Sequence, residues 1–91
     1  MEKLDKKVIQ QKMADLDGWY LEDEQICKKW QFRDFKEAMA FINRIAELAE
    51  LHNHHPEIWN VYNQVKISYS THDAGGITEK DFLLAREIDK L

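Results

Sequence analysis

The chain lacks a second cysteine, an excess of basic residues and a long apolar run, and each absence argues against one class of protein. Its 91 residues include one cysteine, Cys27, so no internal disulfide can form. Thirteen lysines and arginines stand against seventeen acidic residues, and the net charge of −4 argues against the basic patch of a nucleic-acid-binding protein. No stretch approaches a membrane span, and the N-terminus lacks the apolar core of a signal peptide. These features predict a location in the reducing cytoplasm, with no membrane contact and no direct contact with nucleic acid.

The length allows a single domain, 1–91, with one core. A composition of 44% hydrophobic and 33% charged residues is typical of a globular chain rather than a disordered one. A domain of this size buries a modest share of its surface, so oligomerisation would add to its stability.

Hydrophobic spacing in the first third predicts a helix followed by two strands. The helix extends from Leu4 to about Leu16 and ends at Asp17-Gly18. Strands are predicted at 19–21 and 26–32, joined by a polar turn at 22–25.

The middle of the chain predicts a longer helix from Asp34 to about Leu51. Asp34 and Glu37 have the spacing of a capping box, and Pro56 forces the helix to end before His55. Apolar residues occupy about half of the helical wheel. That arc either faces the core alone or also serves a subunit contact along one edge.

The last third predicts a hairpin and a final helix. The strands are 58–62 and 65–70, with Asn63-Gln64 as the tight turn, and Thr78 is the expected N-cap of the helix. The fold class is therefore α+β, in the order α-β-β-α-β-β-α, with a four-stranded antiparallel sheet and three helices on one face.

The pair His54-His55 is the strongest chemical signal, because imidazole exchanges protons near neutral pH. In the predicted hairpin, the two residue numbers of each pair add up to 127, which places His55 beside His72. Glu50, at the end of the second helix, could orient one of the imidazoles. The sequence therefore predicts a small pocket with two or three histidines around a bound organic ligand.

Other interpretations of these side chains remain open. His52, His54, His55 and His72 could ligate zinc, although the spacing of a zinc site and a nearby cysteine are missing. The histidines could also be surface or capping residues without a joint role. The tryptophans could stack on a flat heterocycle or pack in the core or an interface. These tryptophans are Trp19, Trp30 and Trp59.

A longer pattern connects these residues. In order, the chain carries Glu50, three residues, His54-His55-Pro56, five residues, Tyr62, nine residues, His72, eight residues and Asp81. This pattern resembles the signature of the pterin-4a-carbinolamine dehydratase family. The resemblance extends to further segments, which are Gly18-Trp19, Phe32-Arg33-Asp34-Phe35, Trp59-Asn60-Val61-Tyr62-Asn63 and Ser70-Thr71-His72.

Two positions depart from the family pattern. Asn53 stands where members often carry Asp, so it cannot offer a negative charge to pterin N–H donors. Lys80 stands where Arg often precedes the aspartate, which keeps the charge but loses the bidentate fork.

The resemblance implies a hydro-lyase that converts 4a-hydroxytetrahydropterin into quinonoid dihydropterin and water, without metal or organic cofactor. It would recycle the pterin cofactor of aromatic amino-acid hydroxylases. Loss of the hydroxyl needs an acid and formation of the C=N bond needs a base, roles expected for His54 and His55, with His72 assisting or binding. By the same resemblance, Asn53, Ser70, Thr71, Asp73 and Trp19 contact the pterin, and Glu50 and Asp81 support the site.

The family also suggests assembly and a rival function. Members form dimers and tetramers, so we expect a homodimer or homotetramer. A mammalian relative serves as a dimerisation cofactor of a homeodomain transcription factor, which makes a non-catalytic, coactivator-type binding module the alternative.

Overall fold

The computed structural model describes residues 1–91 and has the predicted order of elements. A single turn of 3₁₀ helix, 72–74, precedes the last helix. The bounds are α1 Lys6–Met13, β1 Tyr20–Glu22, β2 Gln25–Gln31, α2 Phe35–Leu51, β3 Glu57–Val61, β4 Gln64–Tyr69 and α3 Glu79–Asp89.

The four strands form one antiparallel sheet in the order β1-β2-β4-β3. Side chains alternate between its faces, so that Ile26, Val65, Ile67 and Tyr69 lie on the inner face and are fully buried. The helices cover this face and leave β1 and β3 as edge strands. The predicted α+β architecture is confirmed.

Helix starts follow local capping chemistry. Asp5, Asp34 and Thr78 are the N-caps of α1, α2 and α3, and each side chain accepts a hydrogen bond from a backbone N–H of its first turn. At α2 the Glu37 side chain reaches the backbone N–H of Arg33, one residue before the cap. The three predicted helices are therefore present, although α1 is shorter than expected at both ends. At its start, the Leu4 N–H donates to the backbone oxygen of Ile77 and lies outside the helix.

The first hairpin confirms the predicted turn, whereas the second corrects it. Asp23 and Glu24 have φ of 51° and 59°, which suits a tight turn between twisted strands. In the β3–β4 hairpin the turn is Tyr62-Asn63, not Asn63-Gln64, and paired residues sum to 125. Pairing ends at Glu57 and Ser68, so the expected opposition of His55 and His72 is wrong.

Side-chain amides account for this register. The Asn60 Nδ2 donates to the backbone oxygen of Gln64 at 2.9 Å and to that of Tyr62 at 3.2 Å. The Asn63 Nδ2 donates to the backbone oxygen of Phe32 at 2.8 Å, which ties the turn to the end of β2. A shift of two residues leaves each side chain on the same face of the sheet as the predicted pairing would, because side chains alternate with a period of two.

The core lies between the inner sheet face and the helices. From α3 it takes Phe82, Leu84, Ala85 and Ile88, whereas Leu83 is 37% exposed. No helix combines the length and the apolar character needed to cross a membrane.

Candidate active site

The end of α2 positions the histidine pair through a tight backbone turn. Asn53 adopts φ of 49°, in the left-handed region, directly after the C-cap His52. The N–H of Asn53 bonds to the oxygen of Glu50 at 3.2 Å, and that of His54 to the oxygen of Ala49 at 2.9 Å. This pair of bonds is a Schellman motif, which holds His54 against the helix end.

Asn53 therefore has a local structural role that the sequence reasoning missed. Asn is the residue that most often replaces Gly in the left-handed position after a helix. The signal was the Asn at the end of a helical pattern, which had been interpreted only as a pterin contact. Its side chain is exposed and remains free for a ligand.

Asp81 is the buried centre of the site. It lies in the first turn of α3, is 0% exposed and accepts three hydrogen bonds. His54 Nε2 lies 2.5 Å from Oδ1, while Thr71 Oγ1 and the Thr78 N–H approach Oδ2 at 2.9 and 2.8 Å. A buried carboxylate is tolerated when such donors replace its lost water. Asp81 thus connects the end of α2, the segment after β4 and the start of α3.

The hydroxyl protons around Asp81 can be ordered in one consistent way. Thr71 donates its only hydroxyl proton to Asp81 and accepts one from Thr78 Oγ1, 2.7 Å away. Thr78 Oγ1 in turn accepts the backbone N–H of Lys80 at 3.2 Å. The two donors to Oδ2 are the Thr71 hydroxyl and the Thr78 N–H, so the chain of threonine hydroxyls ends at the carboxylate.

This arrangement selects a tautomer of His54. Because Asp81 accepts from Nε2, the neutral imidazole carries its hydrogen on Nε2 and presents Nδ1 as an acceptor. The imidazole is 11% exposed and can therefore still meet a ligand at its edge.

Tyr69, which the sequence reasoning did not single out, contacts His54 twice. Its ring stacks on the imidazole with centroids 5.1 Å apart, and its hydroxyl donates to the His54 backbone oxygen at 3.1 Å. Burial, together with the charge of Asp81, raises the pKa of the Tyr69 hydroxyl, which therefore remains a donor. The inward alternation of β4 was the only signal for it in the sequence.

His55 points to a different carboxylate. Its Nε2 contacts Glu50 Oε2, as the sequence predicted for one of the imidazoles, and both side chains are more than half exposed. An exposed pair of this kind adds little to stability, but it restrains the ring. Two consecutive histidines thus have carboxylate partners in opposite environments, one buried and one solvated.

His72 lies close along the chain to this network. It follows Thr71, begins the 3₁₀ turn and is exposed. Its backbone oxygen accepts from the Gly75 N–H at 3.0 Å, whereas its side chain makes no hydrogen bond within the chain. Reciprocal backbone bonds between Thr71 and Gly76 close the loop. Half-buried Ser70 and exposed Asp73 flank the segment.

The expected small pocket with histidines is not among the four main cavities of the chain. None of these four cavities is lined by a histidine. No three histidine, cysteine or acidic side chains come together as a metal-binding group. The Nε2 atoms of His54 and His55 instead serve separate carboxylates.

Trp19 lies apart from the histidines. It is 7% exposed, belongs to the core, and its indole N–H donates to Asp89 at 3.0 Å. Asp89 lies eight residues after Asp81 on α3. The residue that Trp19 contacts is therefore about 12 Å from the centre of the site along the helix axis. The packing interpretation of this tryptophan is confirmed, whereas the structure does not bring it to the histidine site.

Comparisons with known proteins agree with the fold and with the family that the sequence resembles. The sequence model of the family described as "Pterin 4 alpha carbinolamine dehydratase" matches residues 2–91. A protein of Christiangramia forsetii named "Putative pterin-4-alpha-carbinolamine dehydratase" is 48% identical over all of this chain and 94% of its own length. One of Thermomicrobium roseum with the same name is 44% identical over all of this chain and 98% of its own length.

A solved structure is similar over nearly its whole length. It is described as a transcriptional coactivator/pterin dehydratase from Brucella melitensis, and it superposes with a TM-score of 0.93 at 35% identity. The match covers 98% of this chain and 97% of that one. The chain therefore belongs to the pterin 4 alpha carbinolamine dehydratase family, a family of hydro-lyases.

Proposed function

We propose that the protein dehydrates 4a-hydroxytetrahydropterin to quinonoid dihydropterin by histidine acid–base catalysis. The observation that carries the proposal is the pair of adjacent imidazoles with carboxylates in opposite environments. Titratable groups whose environments differ in this way are suited to separate acid and base roles.

The reaction needs one proton delivered and one removed. An acid protonates the C4a hydroxyl, which leaves as water, and a base takes the proton from a ring nitrogen as the C=N bond forms. His54 suits the base, because its Nδ1 is the free acceptor and ionised Asp81 stabilises the imidazolium that results. His55, solvated and paired with Glu50, suits the acid, and exposed His72 assists or binds.

The remaining predicted contacts are neighbours of these histidines along the chain. Exposed Asn53 and Asp73 and half-buried Ser70 flank the histidines along the chain and are proposed to bind the pterin. Thr71 serves mainly as a donor to Asp81 and contributes its backbone to the lining. The proposed reaction uses protons alone and employs neither metal nor organic cofactor.

The test is dehydration of a synthetic 4a-hydroxytetrahydropterin, followed by absorbance. His54→Ala and His55→Ala should each lower kcat by about 10²–10⁴-fold, the usual contribution of one proton transfer. His52→Ala is the matched control, because His52 caps α2 and contacts neither carboxylate of the site. Wild-type turnover equal to that in buffer would reject the proposal. Activity should survive a chelator, and loss that zinc restores would favour the metal interpretation.

We further propose that the physiological substrate is the product of an aromatic amino-acid hydroxylase, so that the enzyme recycles the pterin cofactor in the cytoplasm. A reducing compartment suits the single, buried thiol of Cys27. The test is a hydroxylase assay with limiting pterin, in which adding the protein should sustain product formation. His54→Ala should not sustain it.

Edge strand β3 supports the expected homodimer or homotetramer. Its unpaired edge carries Ile58, Trp59 and Val61, each 43–54% exposed, next to Tyr62 at 60%. Exposed apolar edges pair readily with another strand. Val61→Lys should lower the molar mass of the particle measured by light scattering.

The dehydratase assay distinguishes the rival function, a non-catalytic binding module, because that function predicts a folded protein without turnover.

A further inference from the structure

Tyr69 makes two different contacts with His54. Its ring lies over the imidazole of His54 with an interplanar angle of 25°, and its hydroxyl reaches the backbone oxygen of the same residue. Fifteen residues separate the two along the chain, so the contact depends on the fold. Its side chain is fully buried and cannot contact a ligand directly.

The sheet makes Tyr69 a rigid support. It is the last residue of β4, a central strand, and pairs with Ile26 of β2. Both residues are 0% exposed, which leaves the tyrosine ring little freedom to change rotamer. A side chain held in this way can fix the orientation of a neighbour.

The contacts of His54 are complementary. Asp81 holds Nε2 and thereby limits rotation within the plane of the imidazole. The stacked ring of Tyr69 limits tilting of that plane, and its hydroxyl holds the backbone from which the imidazole extends. Without the stacked ring, the imidazole would tilt and Nε2 would leave Asp81 for part of the time, so that the ring would exchange between its two tautomers.

We propose that Tyr69 is a positioning residue of the dehydratase, which keeps His54 Nδ1 directed toward the pterin. The proposal rests on the proposed function only for its kinetic readout. Because Tyr69 does not contact the substrate, its removal should change kcat and leave KM within about twofold.

Two substitutions separate the two contacts. Tyr69→Phe keeps the stacked ring and removes the hydroxyl, and should lower kcat about twofold to threefold. Tyr69→Leu removes both contacts and should lower kcat about tenfold. A factor of this size is expected when the contribution of one aromatic pair no longer stabilises the transition state. Phe41→Leu is the matched control. Phe41 lies in the middle of α2 and packs on Trp30, so this variant should keep wild-type kcat.

A spectroscopic measurement tests the positioning without turnover. Nitrogen-15 NMR of the ring should show neutral wild-type His54 as the single tautomer protonated on Nε2. Tyr69→Leu should show averaged ring nitrogen shifts, while Tyr69→Phe and Phe41→Leu should resemble the wild type. Averaging in Tyr69→Leu supports positioning even if the wild type lacks dehydratase activity, which separates the two proposals.

Other outcomes overturn the proposal. These are wild-type kcat and ring shifts in Tyr69→Leu, or an equal loss of activity in Tyr69→Leu and Phe41→Leu. If Tyr69→Leu does not fold, Tyr69→Phe decides, and a kcat equal to that of the wild type would reject the role of the hydroxyl in holding His54.

Discussion

Replacing Asp81 with asparagine is the most direct test of the buried centre of the site. The substitution keeps size and shape but turns one acceptor oxygen into an NH₂ group. The remaining oxygen can still accept from Thr71 and Thr78, so the NH₂ faces His54 Nε2, itself a donor. His54 must then rotate away or move its hydrogen to Nδ1, the atom proposed to accept the substrate proton.

The hydrogen bonds allow the size of the effect to be worked out. Bonds to a charged acceptor contribute about 1.5–3 kcal/mol and neutral ones about 0.5–1.5 kcal/mol. Asp81→Asn loses the His54 bond and weakens two others by about 1–1.5 kcal/mol each, so we expect the free energy of unfolding to fall by about 3.5–6 kcal/mol. The wrong tautomer should lower kcat by about 10²–10⁴-fold.

The assay combines urea unfolding with dehydratase turnover. Asp34→Ala is the control for destabilisation alone, since it removes the cap of α2 and should lower the free energy of unfolding by about 1 kcal/mol. Asp34 lies at the opposite end of α2 from Glu50, about 24 Å along the helix axis. Its turnover should equal that of the wild type.

Two results would refute this reasoning. If Asp81→Asn lost stability as expected but kept kcat within threefold of the wild type, the tautomer of His54 would be irrelevant to the reaction. If it also kept its stability, the three hydrogen bonds to Asp81 would not describe the protein in solution.

Three further predictions concern stability. Asn53→Val should lower the urea-derived free energy of unfolding by about 1–2 kcal/mol because of the left-handed backbone, whereas Asn53→Gly should change it little. Burial raises the folded-state pKa of Tyr69, so its contribution to stability is lost as pH rises above about 10. Wild-type stability should then fall with pH more steeply than that of Tyr69→Phe, by at most about 1.4 kcal/mol per pH unit, and equal slopes would contradict this. The hydrogen bond and charge of Lys66 lower the pKa of Glu22, so this pair should lose its stabilising effect as pH falls below about 4.5. Glu22→Gln should remove that part of the acid dependence in thermal melts, and high salt should reduce it.

The helices were predictable because their signals are local. The apolar arc of α2, the cap at Asp34 and the stop before Pro56 lie within a few residues of the backbone they control. The same holds for the polar turn at Asp23-Glu24. The stop at Asn53 is also local, but the resemblance to the family assigns this residue to pterin binding alone.

The register of the β3–β4 hairpin was not predictable in this way. The turn depends on Asn63, whose amide bonds to the backbone of Phe32, 31 residues earlier in the chain. The turn propensities of Asn63 and Gln64, on which the prediction was based, could not reveal that contact. The error of two residues kept the sheet faces but removed the predicted opposition of His55 and His72.

By itself, the sequence determined the order of the elements and the identity of the histidines, because periodicity, caps and residue spacing act over short distances. Only the tertiary structure decided which atoms meet. It placed Asp81 between His54 and Thr71, stacked Tyr69 on the imidazole and buried Trp19 at the far end of α3. Those contacts join residues 10 to 70 positions apart, and they depend on how the helices dock on the sheet.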